Sequence, residues 1–102
     1  MKKIITTALM LLALAFTAAH AQQNEVRLAI GTGGTGGVWY PLGGAMANIF
    51  SKTLPRVQAT AEVTGGSVDN IKLIATGQSQ IGFSIADAAW DADQGKGKFK
   101  EK

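Results

Sequence analysis

Apolar and polar positions alternate over residues 26–30, with Val26, Leu28 and Ile30 on one side and Arg27 and Ala29 on the other. A period of two predicts a strand with one strongly apolar face, ended by Gly31. Leu42, Met46, Ile49, Phe50 and Leu54 then recur at helical spacing and predict one apolar stripe, with Pro55 marking the end. Pro41 suits the first turn of this helix, where its missing N–H costs nothing. Gly43 and Gly44 each weaken the helix by about 1 kcal/mol relative to alanine, which points to close packing on a sheet or a ligand. Val57, Ala59, Ala61 and Val63 alternate with Gln58, Thr60 and Glu62 as a second strand, and Thr64-Gly65-Gly66 makes the turn after it. Ser67 is a good N-cap and Asp69 favours the positive helix end. Val68, Ile71, Ile74 and Ala75 line one face of that second helix until Gly77 stops it. Residues 80–84 read as a third, short strand, and Asp87 can cap a last helix that runs to about Gln94 and closes at Gly95.

The order is β-α-β-α-β-α. Such spacing implies crossover connections and an α/β fold with a parallel sheet and helices on its faces. In such sheets ligands bind outside the carboxyl ends of the strands. Three loops qualify, 31–37, 64–67 and 84–87, and all are rich in Gly, Ser, Thr or Asp.

The first loop reads GTGGTGG. Gly31, Gly33 and Gly36 match the spacing of the dinucleotide fingerprint between a strand and a helix, and Glu62 lies near the end of the next strand. Gly34 and Gly37 are glycines that fingerprint does not need, and Glu62 comes late for a ribose contact. A Walker loop is excluded, because no lysine follows the glycines. The other functional reading is a backbone nest. Successive N–H groups and the next helix N-terminus hold a carboxylate or other small anion, helped by the Thr32 and Thr35 hydroxyls. A flexible connector is the bland alternative. Thr64-Gly65-Gly66-Ser67 repeats this chemistry one strand later, or serves as an ordinary turn and cap. Trp39 and Tyr40 open the first helix either as aromatic core or as a wall for a ligand, with the phenol as a donor. The spacing of Asp87, Asp91 and Asp93 does not put all three on one helix face, which favours capping and solvated surface over a metal site. Trp90 reads as packing.

The front end changes the charge picture. Residues 1–21 have the shape of a secretory signal: Met1-Lys2-Lys3, an apolar run over 4–16 broken by Thr6 and Thr7, and Ala19-His20-Ala21 as the small-x-small cleavage pattern. The apolar run is short for a membrane span. Cleavage leaves Gln22 first and discards His20, the sole histidine, and with no cysteine in the chain this removes His- and Cys-based catalysis and metal sites. No Gly-x-Ser-x-Gly elbow is present, and Ser67 is a nucleophile only with a base from elsewhere. Losing Lys2 and Lys3 lowers the formal charge from +3 to +1. Residues 96–102 hold four lysines against Glu101, a solvated basic run, so residues 22–95 carry −2 and make no case for nucleic acid. Residues 22–102 amount to one small domain with a marginal core. Because the chain stops in a charged segment just after a helix, it is expected to be a fragment of something longer.

With these motifs in place, IGTGGTGGVWYPLGGAMANIFSK (30–52) and ATAEVTGGSVDNIKLIATGQSQIGFSIADAAWDA (59–92) resemble the start of a TAXI-type solute receptor of tripartite ATP-independent periplasmic (TRAP) transporters. The resemblance implies a periplasmic binding protein type II-like fold of two α/β lobes joined by hinge strands, with residues 22–102 as the first part of lobe one. It implies a small organic acid or amino acid in the cleft, glutamate- or dicarboxylate-like, no cofactor, and delivery to membrane subunits driven by an ion gradient. Carried over, the first binding loop falls on Thr32–Val38 (Thr32, Gly33, Gly34, Thr35 and Gly36 among them) with Tyr40 following. The second falls on Thr64, Gly65, Gly66 and Ser67, and the third on 85–87, ending in Asp87. Residues 96–102 lack a clear family pattern. The chain alone, without a second lobe, is expected to bind weakly or not at all. The competing class is an exported enzyme with a glycine-rich cofactor or anion site, an oxidoreductase or hydrolase, and a third is a small stand-alone binding module.

Overall fold

The first strand predicted from the alternation forms and has a neighbour on each side, a full-length one in the second strand and a short one at its carboxyl end. The computed structural model describes Met1 and residues 25–100. The signal-peptide reading of residues 1–21 lies, Met1 aside, outside the described residues. Among these the elements run β1 (Val26–Gly31), α1 (Trp39–Thr53), β2 (Val57–Glu62), α2 (Ser67–Ala75), β3 (Ile81–Gly82), α3 (Ala86–Asp93) and a 3₁₀ turn (Gly97–Phe99). The sheet has the order β2-β1-β3. Both pairings are parallel, from Val26 opposite Val57 to Gly31 opposite Glu62 on one side, and Ile30 opposite Ile81 on the other. The α/β class and the alternation of strands with helices are as the sequence predicts.

The core sits on one face of this sheet. Ile30 is completely buried on the central strand, beside Ala59 of β2 and Ala47 of α1, with Leu28, Met46, Phe50, Val57, Ile81 and Phe83 packed around them. Helix α1 therefore seats on Gly43, Met46, Ala47 and Phe50. The expected stripe is only partly used, since Leu42, Ile49 and Leu54 remain about half exposed. The reason is steric. Gly43 lets the helix come down on the sheet until a Cβ at that position would collide with Thr32 Cγ2. Gly44 has open space around it, so close packing explains one of the two helical glycines. On the edge strand β2, the Ser51 hydroxyl of α1 accepts the Ala59 N–H at 2.9 Å.

Several local expectations are corrected. The third strand is shorter in its ladder than residues 80–84, although Gln80 N–H bonds Ala29 O and Phe83 N–H bonds Gly31 O, each at 3.0 Å, so the chain runs beside β1 on either side of Ile81–Gly82. Ser67 does not cap α2. The N-cap is Gly66, with φ 95°, and the Ser67 hydroxyl accepts the Ile85 N–H instead. Ile85, not Asp87, precedes α3; Asp87 lies in its first turn and accepts the Ala88 N–H. Val63 falls after β2 and is exposed, as are Ile74 and Trp90, the last at 63 %. The basic tail is not all solvated loop: Phe99 is buried in the 3₁₀ turn, which packs against α3.

Helix α2 holds the largest departure. Its buried residue is the polar Asn70, fully enclosed, and not one of the four apolar residues expected on its inner face. Gly31 and Gly82 make this possible. A Cβ on Gly31 would stand 2.6 Å from Asn70 Oδ1, and one on Gly82 would stand 3.0 Å from Asn70 Cβ.

Candidate functional site

The carboxyl ends of the strands are knotted together through Asn70. Its Nδ2 donates to Thr32 O at 2.7 Å and to Phe83 O at 2.8 Å, beyond the ends of β1 and β3. Its Oδ1 accepts the Thr64 hydroxyl proton at 2.6 Å, just past β2, and that hydroxyl in turn accepts the Gly66 N–H. Two further bonds join the first loop to the second strand and its turn. Thr32 donates both its N–H and its hydroxyl to Glu62 O, and Thr64 N–H donates to Gly33 O at 3.3 Å. The two glycine loops are thus held in fixed register.

Between them lies a cleft of about 440 Å³, lined by Gly33, Gly34, Gly37, Val38 and Trp39 on one side and Thr64, Gly65 and Gly66 on the other. The Trp39 ring stacks on Phe83 with centroids 5.9 Å apart and planes at 16°. Its other reach is toward the loops: a Cβ on Gly33 or on Gly66 would stand 3.6 or 3.9 Å from the indole. The aromatic residue at the start of α1 is a wall of the cleft, supported from behind by a second ring.

The main chain supplies the donors. Gly37 N–H closes a turn onto Gly34 O at 3.0 Å. The N–H groups of Gly33, Gly34, Thr35 and Gly36 find no acceptor among the described residues, although Gly33 is buried. Buried backbone donors are nearly always paired, so the unpaired N–H of buried Gly33 beside the cleft is the one that calls for an acceptor, while Gly34, Thr35 and Gly36 are exposed and open to water. Val38 and Trp39 begin α1, and Gly66 is the N-cap of α2. Two helix N-termini therefore border one cleft, each with the partial positive charge of its free N–H groups. Among the described residues no charged side chain lines it. Asp69 is the near exception, since its Oδ2 accepts the Gly65 N–H at 3.0 Å; it lines a neighbouring cavity of about 330 Å³ with Val63, Lys72 and Leu73.

Of the residues singled out from the sequence, the structure gathers Gly33, Gly34, Thr64, Gly65 and Gly66 around the cleft. Thr32 is fully buried beneath it with its hydroxyl engaged. Thr35 and Gly36 are exposed on the loop, and Tyr40 is half-buried. Tyr40, Ser67 and Asp87 are not among the residues lining the cleft, and neither is the third loop. Gly37, Val38, Trp39 and the hub Asn70 complete the arrangement. A tryptophan directly after a glycine loop is a signal that can be read in sequence; the burial of Asn70 has no such signal. Glu62, the acid of the fingerprint reading, accepts the Ser79 hydroxyl at 3.0 Å. Among the described residues no three His, Cys, Asp or Glu side chains gather for a metal, and no helix is long and apolar enough to cross a membrane.

A parallel α/β sheet with glycine loops and helix N-termini at its strand ends is compatible with a site for a small solute. Residues 30–102 match the NMT1-like family, and the chain belongs to it. This is a periplasmic binding-protein-like family, and the general role it points to is the binding of a small-molecule solute.

Proposed function

We propose that this protein is the TAXI-type solute receptor of a tripartite ATP-independent periplasmic transporter, exported by a signal spanning residues 1–21. In this reading residues 22–102 form the first part of lobe one, and the membrane subunits of the transporter are its partners. The solute is a small organic anion or amino acid, glutamate- or dicarboxylate-like. The observation that carries the reading is the pair of unpartnered N–H groups of Gly33 and Gly34, which line the cleft beside two helix N-termini. A carboxylate supplies the acceptors those donors lack, and each helix end favours the anion by about 0.3–1 kcal/mol. Thr64, Gly65 and Gly66 close the opposite side of the cleft, and the remainder of the solute lies against Trp39. Thr32 acts from below by fixing the loop. In this reading the solute leaves unchanged.

The test is calorimetric titration of the native mature protein, isolated from a periplasmic extract and checked by intact mass, against L-glutamate, succinate and malate. One-to-one saturable binding of at least one acid, and its recovery unaltered, is expected. Failure to bind any carboxylate, or chemical conversion of one, would refute the proposal.

A further inference from the structure

A helix N-terminus carries about half a unit of positive charge, whereas an ionised carboxylate in its first turn carries a full negative one. The two helix ends that border the cleft differ in this respect. α1 has no acidic residue in its first turn, and α2 has Asp69. Asp69 turns back over the second loop. Its Oδ2 accepts the Gly65 N–H at 3.0 Å, and a Cβ on Gly65 would collide with that same oxygen. Gly65 lines the cleft, and the cavity that Asp69 lines shares Thr64 with it. The carboxylate therefore stands directly behind the Gly65 stretch of the wall. Lys72, the cation on that cavity, sits three residues along α2, about 4.5 Å farther from the helix end. The full charge of Asp69 outweighs the partial charge of the α2 end. The second-loop side of the cleft is negative, and the side of Gly33, Gly34 and the α1 end is positive.

We infer that Asp69 is a specificity-determining residue, whose charge turns the cleft against a second carboxylate at the second loop and toward an ammonium group there. The solute's carboxylate lies on the Gly33 side. A zwitterionic amino acid matches both signs, and a dicarboxylate matches one. The inference rests on the receptor reading above and narrows its solute.

Asp69→Asn in the native mature protein tests it, because an amide oxygen still accepts the Gly65 N–H while the charge is gone. Asp93→Asn removes the same charge from the last residue of α3, outside both cavities. Both are titrated calorimetrically with L-glutamate and with succinate, at low and at raised salt, beside thermal unfolding. The native protein is expected to hold L-glutamate more tightly than succinate. Asp69→Asn is expected to shift the ratio of the two affinities toward succinate about threefold or more. Raised salt is expected to shrink that shift, since Asp69 is exposed and open to screening. Asp93→Asn is expected to leave the ratio as it is. A role confined to holding α2 lowers the melting temperature without moving the ratio, so an unchanged ratio in Asp69→Asn overturns the inference and leaves the receptor reading standing. Native binding of succinate or malate tighter than that of L-glutamate overturns it as well. Should the native protein bind L-glutamate alone, Asp69→Asn is expected to hold it about twofold or more less tightly, and equal affinity overturns the inference. If the native protein binds none of the carboxylates, the receptor reading falls and this inference with it.

Discussion

Replacing Asn70 by alanine tests whether one amide holds the site together. The side chain is fully buried and makes three hydrogen bonds, two as donor to Thr32 O and Phe83 O and one as acceptor from Thr64. A typical bond contributes about 1 kcal/mol net, and stranding a buried partner costs about 1–3 kcal/mol. Removing the amide strands two carbonyls and leaves the Thr64 hydroxyl without its acceptor. Partial relaxation and water entry offset some of this, so Asn70→Ala is expected to lose about 3–5 kcal/mol, a large share of the stability of a small domain. Asn70→Asp separates shape from chemistry. It keeps the volume but turns an oxygen toward two carbonyl oxygens, and it is expected to cost at least about 2 kcal/mol at neutral pH. Urea unfolding monitored by circular dichroism reads both, provided the denaturant slope is unchanged. A loss below about 1 kcal/mol in both variants would refute the claim that Asn70 ties the strand ends.

Gly31→Ala attacks the same hub from the sheet, since its methyl would meet Asn70 Oδ1; a loss of about 1–3 kcal/mol is expected in the same unfolding experiment. Arg56 stands at φ 61°, so Arg56→Gly is expected to raise stability by up to about 1 kcal/mol, read as a higher melting temperature. Trp39→Ala removes the stack on Phe83 and one wall of the cleft; calorimetry is expected to show carboxylate binding weakened well beyond the stability lost, whereas Trp90→Ala, at a ring 63 % exposed, leaves binding intact.

The order of elements and the location of the two glycine loops were legible because period and punctuation are local properties. Ile30 on β1 and Gly77 after α2 announce themselves within a few residues. The side of α1 that meets the sheet was partly legible: Gly43, a weakness by helix propensity, marked close packing, and Met46 and Phe50 pack inward, but Leu42, Ile49 and Leu54 of the same stripe remain about half exposed. Asn70 was harder still. A polar residue in an amphipathic helix reads as solvent-facing unless carbonyls from residues 32 and 83 are known to wait for it. The same dependence on distant partners hid Ser67, whose hydroxyl serves Ile85 and not its own helix. In the cleft, the main-chain N–H groups and the Trp39 wall were legible in the sequence, whereas Tyr40, Ser67 and Asp87, which it also offered, do not line the cleft.

The strand order carries a kinetic consequence. Among the described residues β1 comes first and lies in the middle of the sheet, between partners that begin at residues 57 and 81. A growing or translocating chain can therefore lay down the β1–β2 pair early, but the amide that clasps all three strand ends has its full set of acceptors only once Phe83 has arrived. Closing so long a span is slow relative to local helix formation. The cleft is a late product of folding, and solute capture would report that the whole edge has been assembled.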